Sequence, residues 1–255
     1  MKEIIRWCEK LAPPSCAMEG DNIGLIVGEP KKCTGAVVAL DVTAEALSAA
    51  EQNGCNLLVV HHSPIYQPIK RIDTAEPRGK LLARAIKSGI AIYVMHTNLD
   101  FAPNGLNQHV AQMLGLKNIR AVSAPDKVSY RIGVLPADIP ARDFARRIKE
   151  RLSIKSARLC GTGKIKTVAV CTGSGADLLS HAVLHGADAL VTGDVRHHHA
   201  MECRALGAVL IDAGHHGTEQ TMVGLVCGFL KKMMVKSGKR TTIVPLYIAE
   251  PFENV

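Results

Sequence analysis

The chain has 255 residues, of which 47% are hydrophobic and 21% charged, with a formal net charge of +8 and a pI of about 9.1. That balance excludes a disordered or fibrous chain and is enough for one large domain or two small ones, each with a real core. No apolar run approaches the ~20 residues of a membrane span and the first residues carry no signal-peptide core, so the sequence predicts a cytoplasmic protein without a membrane partner.

Aromatic residues make up only 4% of the chain, so the core must be built of Val, Ile, Leu and Ala. That suits parallel strands covered by helices. The eight cysteines are scattered without a C-x-x-C pair, as reduced core residues are. Basic residues are spread along the chain apart from Arg146-Arg147 and Lys231-Lys232, the pattern of a solvated face. Nucleic-acid binding, if any, is expected to be weak and independent of sequence.

In chain order, Ile4, Ile5, Cys8 and Leu11 fall at helical spacing, and Pro13-Pro14 ends that helix. Asp21 to Gly28 is a turn leading into a short apolar segment. Gly35 to Leu40 reads as a strand, Asp41 and Thr43 as caps for a helix from Ala44 to about Gln52, and Leu57 to Val60 as the next strand. That is a βαβ unit. Pro77 to Ser88 reads as a helix closed at Gly89, and Ile90 to Met95 as a third strand ending in His96-Thr97-Asn98-Leu99-Asp100. The stretch from about Ala121 to Gly161 differs. Tyr130 to Leu135 reads as a strand and Ala141 to Leu152 as a helix, with Pro125, Pro136 and Pro140 as punctuation. We read it as a connector.

The first unit then recurs. At a shift of 132, Val38 matches Val170, Ala44 matches Ala176, Leu47 matches Leu179, Gly54 matches Gly186 and Leu58 matches Leu190. Gly89-Ile90-Ala91-Ile92 corresponds to Gly207-Ala208-Val209-Leu210. Register kept over this length predicts an internal duplication of two α/β halves.

Each half sends chemistry off the carboxyl ends of its strands, the edge where open α/β sheets bind ligands. The first gives His61-His62 and His96-x-x-x-Asp100. The second gives Gly193-Asp194-Val195-Arg196-His197-His198-His199 and Asp212-Ala213-Gly214-His215-His216-Gly217-Thr218-Glu219. Imidazole and carboxylate donors without cysteine suit Zn, Fe, Mn, Co or Ni. Successive side chains on a strand point to opposite faces, so His61 and His62 are expected to serve two ions, one each. His215 and Glu219 are four apart, one face of a helical turn. Two-metal sites hold ions about 3.5–4 Å apart and activate a water as nucleophile. Plain alternatives stand beside this reading. Asp100 can cap a helix after Pro103, Glu219 can be a first-turn helix charge, and His109, His181 and His185 read as ordinary hydrogen-bonded residues. His197, His198 and His199 read as a substrate-facing or supporting loop, or as merely polar. Gly173-Ser174-Gly175 lacks the G-x-S-x-G frame of a serine nucleophile, though it and Arg196 can hold phosphate.

Asp21-Asn22-x-Gly24-Leu25, His61-His62-x-Pro64, His96-Thr97-Asn98-Leu99-Asp100, Gly193-Asp194-x-x-His197-His198 and Asp212-x-Gly214-His215-x-x-Thr218-Glu219 occur in that order. In combination they resemble the Nif-three-like family of dinuclear metal-centre proteins, the type-two GTP cyclohydrolase I homologues, in its short form without an inserted domain. The resemblance spans nearly the whole chain. It implies two similar α/β lobes, residues 1–120 and residues 121–255 with the connector, together one compact unit with a metal cleft between them, and a toroidal homohexamer. By motif position it implies that His61, His62, Asp100, His215 and Glu219 ligate two divalent ions per chain. The strand argument then gives one ion to His62 and Asp100 and the other to His61 and His215, with Glu219 bridging. His96 stands beside the ions as a proton shuttle or extra ligand, and His96 and Glu219 are the catalytic candidates. Asp194, Arg196, His197, His198 and Thr218 are expected to face substrate or support the ligands. His216 departs from the family pattern, where Tyr is more familiar.

Three function classes compete. A metal-dependent hydrolase of a nucleotide or related heterocycle, a GTP cyclohydrolase-like enzyme, needs open metal positions and a small-molecule pocket. A non-catalytic metal-binding assembly for regulation or interaction needs neither. A basic ring that binds nucleic acid needs clustered cations and a steep salt dependence.

Overall fold

A computed structural model describes residues 1–29, 31–124 and 128–253; Pro125 lies outside them. The chain is mixed α/β with two sheets, and its residues divide into two compact units. The first comprises Met1–Ala102 and Met222–Ala249, the second Pro103–Thr221 and Glu250–Val255. The sequence reading divided the chain near residue 120 and gave everything beyond it to the second lobe, whereas the last long helix and strand here belong with the first unit.

In the first unit, helix α1 (Lys2–Leu11) buries Ile4, Cys8 and Leu11 as their spacing dictates, and Trp7 with them, while Ile5 is only half-buried. The sheet is built from β1 (Gly24–Val27), β2 (Gly35–Ala39), β3 (Leu57–Val60), β4 (Ala91–Val94) and the late strand β11 (Thr242–Pro245). Its order is β1-β4-β3-β2-β11. Strands β2, β3 and β4 run parallel and are linked by α2 (Ala44–Gln52) and α3 (Pro77–Lys87). β1 pairs antiparallel with β4. β11 adds in parallel to β2, which is why the C-terminal segment joins this unit. The apolar α10 (Met222–Ser237) leads into it. Every residue of β2, β3 and β4 is buried, the continuous apolar pattern expected of parallel strands covered on both faces.

The second unit carries β5 (Lys117–Ser123), β6 (Ser129–Pro140), β7 (Arg158–Cys160), β8 (Lys164–Val170), β9 (Ala189–Thr192) and β10 (Val209–Asp212), in the order β5-β6-β8-β9-β10-β7. Helix α4 (Thr97–Phe101) belongs to the first unit, α5 (Leu106–Met113) to the second, and α6 (Ala141–Leu152) follows β6. The stretch read as a connector is therefore part of a sheet. β5 and β6 pair antiparallel, and β6 pairs with β8. Pro136 falls within the register shift between Val134 and Ile139, where a strand tolerates a residue that cannot donate.

The core of this sheet repeats that of the first. β8, α7 (Leu179–Leu184), β9, α8 (His197–Leu206) and β10 form a parallel βαβαβ run. β7 is antiparallel to β10, as β1 is to β4. The registers also agree. Ala36 pairs with Leu57 and Val38 with Val59; 132 residues on, Val168 pairs with Ala189 and Val170 with Val191. Leu57 pairs with Ala91, and Ala189 pairs with Val209, the correspondence set by Gly89-Ile90-Ala91-Ile92 and Gly207-Ala208-Val209-Leu210. The sequence repeat is thus repeated in strand pairing.

Among the described residues, no helix is long and apolar enough to cross a membrane. The first unit's core gathers Val37, Leu58, Val60, Leu82, Ile92 and Val94. Leu58 has no exposed surface and sits on the central strand. Leu58→Ala should therefore destabilise the chain by about 2–5 kcal/mol, read as a lower urea midpoint with an unchanged slope. A change below about 1 kcal/mol would show that this strand does not carry the core.

Candidate metal centre

In the first unit, the histidines gather where β3 and β4 end. Beyond Val60 the chain leaves strand geometry: the N–H groups of His61 and His62 both donate to the Leu40 carbonyl, at 3.0 and 3.1 Å. Strand alternation therefore does not separate the two side chains. Their ring centroids are 5.1 Å apart, and ring nitrogens of His61, His62 and His96 all lie within 4.8 Å of one another. The turn, and not strand alternation, sets the directions of the two rings.

Each ring is held by its Nδ1. His61 Nδ1 lies 2.7 Å from the Met95 carbonyl. A carbonyl only accepts, so Nδ1 carries the proton and the Nε2 lone pair points away from the backbone. His62 Nδ1 lies 2.7 Å from Asp41 Oδ1. Asp41 and Thr43 both read as helix caps in the sequence, and the structure separates them: Thr43 Oγ1 accepts from Ala46 N, and Asp41 goes to His62. His96 Nδ1 lies 2.8 Å from Asp21 Oδ1. The other Asp21 oxygen accepts from the Thr97 N–H and hydroxyl. Burial is the largest single influence on Asp21 and raises its pKa, but the hydrogen bonds from His96 and Thr97 together outweigh it and hold the carboxyl below its ordinary value.

Asp100 lies within α4 and is buried. The next helix, α5, is preceded by Gly105, so Asp100 does not cap it. Its Oδ2 is 3.6 Å from His61 Nε2. Asp100 therefore stands beside His61, whereas strand alternation had set it with His62. Tyr66 stands exposed beside this cluster, edge-on to His96 at 5.9 Å. Its turn is pinned by the Asn22 amide donating to the Ile65 carbonyl.

In the second unit, α9 (His215–Glu219) places His215 Nε2 3.0 Å from Glu219 Oε2, the i,i+4 contact expected from spacing. Glu219 is 3% exposed, so it is not a solvated first-turn charge. His215 Nδ1 is held by Asp194 Oδ2 at 2.7 Å. Asp194 adopts φ +54, an uncommon conformation for a non-glycine residue and one that clusters at functional sites. Two glycines make room: a β-carbon on Gly173 would stand 2.2 Å from Glu219 Oε1, and one on Gly193 2.5 Å from the His215 backbone nitrogen. Thr218 is structural, accepting from the Gly173 N–H and donating to the His215 carbonyl.

The triple histidine divides. His199 is buried; its Nδ1 accepts the Arg196 N–H, and its Nε2 lies 2.8 Å from Asp177. It closes the start of α8. Arg196, His197 and His198 are exposed at that helix start. His216 lies 3.4 Å from Glu250. His181 meets the Tyr130 hydroxyl at 2.8 Å, and His185 stacks on His181.

The donors fit a divalent ion. Four imidazoles have Nδ1 fixed by a carboxylate or carbonyl, the outer-shell arrangement that sets tautomer and orientation in histidine metal sites, with buried carboxylates beside them. The sequence did not reveal Asp21 and Asp41 as these partners. Both lie in loops whose contacts depend on the assembled sheet.

The pKa of His215 is raised from 6.5 to about 9; the Glu219 hydrogen bond is the largest cause, opposed by burial and reinforced by Asp194. Because the folded pKa lies above the unfolded one, the stabilisation is complete below pH 6.5 and is lost as the pH rises through about 9. In histidine NMR of metal-free protein His215 should titrate near pH 9, and Glu219→Gln should lower that midpoint more than Asp194→Asn. A wild-type midpoint near 6.5 would contradict the contact.

The model of the family Duf34/NIF3 (NGG1p interacting factor 3) matches residues 1–248. A GTP cyclohydrolase 1 type 2 homolog of Clostridium acetobutylicum is 31% identical, covering 96% of this chain and 94% of the relative. The homolog of Streptococcus pneumoniae is also 31% identical, over 99% and 98%. The crystal structure of a Bacillus cereus protein related to NIF3 superposes with a TM-score of 0.92 at 26% identity, covering 100% of this chain and 98% of that one. The chain belongs to the Duf34/NIF3 family.

Proposed function

We propose that this chain is a dinuclear divalent-metal protein that hydrolyses a nucleotide or related heterocycle. The observation that carries the reading is the shared anchoring of four imidazoles through Nδ1, which aims Nε2 donors as a metal site requires. The relatives' name, GTP cyclohydrolase 1 type 2 homolog, supports the substrate class. In this proposal His61 and Asp100 hold one ion, His62 and His215 hold the other, and Glu219 is shared. The 3.6 Å approach of His61 to Asp100 favours that pairing over the one taken from strand alternation.

Bound divalent ions supply Lewis acidity and lower the pKa of water. The remaining work falls to side chains. His96, with Nδ1 fixed by Asp21, accepts and returns a proton at Nε2, as an oriented imidazole does in general acid–base catalysis. Tyr66 offers an exposed ring on a pinned turn, against which a planar heterocycle stacks. Ser174 and Arg196 are candidates for a phosphate. The Nif-three-like resemblance extends the proposal to a homohexamer in the cytoplasm.

Elemental analysis after stripping and reloading should find two ions per chain. Asp100→Asn should chiefly cost one of them. Glu219→Gln should weaken both together, since an amide has one oxygen and an NH₂ donor in place of two carboxylate oxygens. Two ions retained at native affinity in Glu219→Gln would show that Glu219 is not shared. Any hydrolysis of GTP by the reloaded protein should fall in proportion to its metal content.

In solution, light scattering at physiological salt should return six times the 27.3 kDa chain mass. A monomer would overturn the assembly.

A further inference from the structure

The second unit has a groove at the opposite edge of its sheet from the candidate ligands. His215, Asp194 and Gly173 follow the carboxyl ends of β10, β9 and β8. The groove is lined instead by residues that precede β8 and β10, Gly161-Thr162-Gly163 and Gly207-Ala208, together with one face of α6 and the end of α8. Its volume is about 990 Å³, at the upper end of small-ligand cavities.

The charge of this groove is one-sided. Arg142, Arg146, Lys149 and Arg204 line it, and none of its lining residues is acidic. Positions 142, 146 and 149 are spaced i, i+4, i+7, so they form one row along α6, about 10 Å from first to last at 1.5 Å per residue. Arg204 faces from the last turn of α8. Arg146 pairs with Asp143 at 2.8 Å. Among the described residues Arg142, Lys149 and Arg204 make no ion pair. Holding like charges together costs free energy unless an anion answers them.

The walls are fixed. The Gly163 carbonyl accepts the Ala141 N–H at 2.9 Å, tying the loop to the start of α6. Gly161 has φ +87, and a β-carbon there would stand 2.2 Å from the Ala208 carbonyl, so this wall must stay bare backbone. The floor is small and apolar: Ala145, Ala157, Leu159 and Ala208. No aromatic residue lines the groove, so it lacks the stacking platform on which single-stranded nucleic acids depend.

We infer that this groove binds a small polyphosphate anion, a chain of two or more phosphoryl groups held by the α6 row and Arg204. The inference does not depend on the metal proposal, because none of its residues is a candidate ligand.

The test is calorimetric titration of inorganic tripolyphosphate into the full-length, metal-free chain. Binding should be measurable at 50 mM salt and weaken as salt rises. Arg142→Ala/Lys149→Ala should weaken it at least tenfold and Arg204→Ala severalfold, with circular dichroism unchanged, since all three side chains are exposed. Lys231→Ala/Lys232→Ala, which removes an exposed basic pair from α10 of the first unit, should leave affinity within twofold. Equal loss in that control would mean general charge attraction and overturn the site. So would absence of binding at millimolar tripolyphosphate, or groove variants that bind as wild type. Tighter binding of duplex DNA, lost in the same variants, would reassign the surface to nucleic acid.

Discussion

The candidate ligands of each unit rest on hydrogen bonds made away from their donor atoms. His61 is oriented by a backbone carbonyl, and His62, His96 and His215 by Asp41, Asp21 and Asp194. An imidazole with a free Nδ1 swings and exchanges tautomers; one whose Nδ1–H is committed presents a single lone pair in a single direction. The carbonyl of Met95 belongs to the end of β4, and Asp41 and Asp194 stand just past β2 and β9. The orientation of the donors is therefore a consequence of how the sheets are assembled, and disturbing strand register would misplace donors without touching one.

The same logic explains the glycines and the one strained aspartate. Gly173 and Gly193 leave the space into which Glu219 and His215 fit, and Asp194 takes a left-handed backbone to reach the ring it holds. These positions follow strands whose pairing registers recur in both sheets. An architecture repeated in two units sends equivalent strand ends out as loops in each. The loops differ in donors while the strands beneath them agree, so the chemistry of each unit lies in its loops and not in its strands.

Much of this was legible in the sequence. Apolar runs ending in histidine, the 132-residue repeat and the His215–Glu219 spacing depend on local pattern, and the strands and α9 follow them. What failed was non-local. β5 is largely exposed, so Lys117–Ser123 carries no apolar alternation to mark it as a strand. β6 passes Pro136 through a register shift, so a proline that normally ends a strand does not end this one. The pairing of β11 with β2 involves residues some 200 apart, and nothing in Thr242–Pro245 names its neighbour. Alternation at His61-His62 failed because both amides turn onto the Leu40 carbonyl after Val60. Asp41 was misread for a related reason: a residue three positions before a helix looks like a cap until the folded sheet brings a histidine to it.

The central claim is that fixed imidazoles and buried carboxylates hold two neighbouring ions. X-ray absorption fine structure of the cobalt- or zinc-loaded protein tests it most directly. The account predicts imidazole scattering in the first shell together with a metal–metal vector of about 3.5–4 Å. A first shell without imidazole, or an isolated ion with no second metal nearby at full loading, would contradict it.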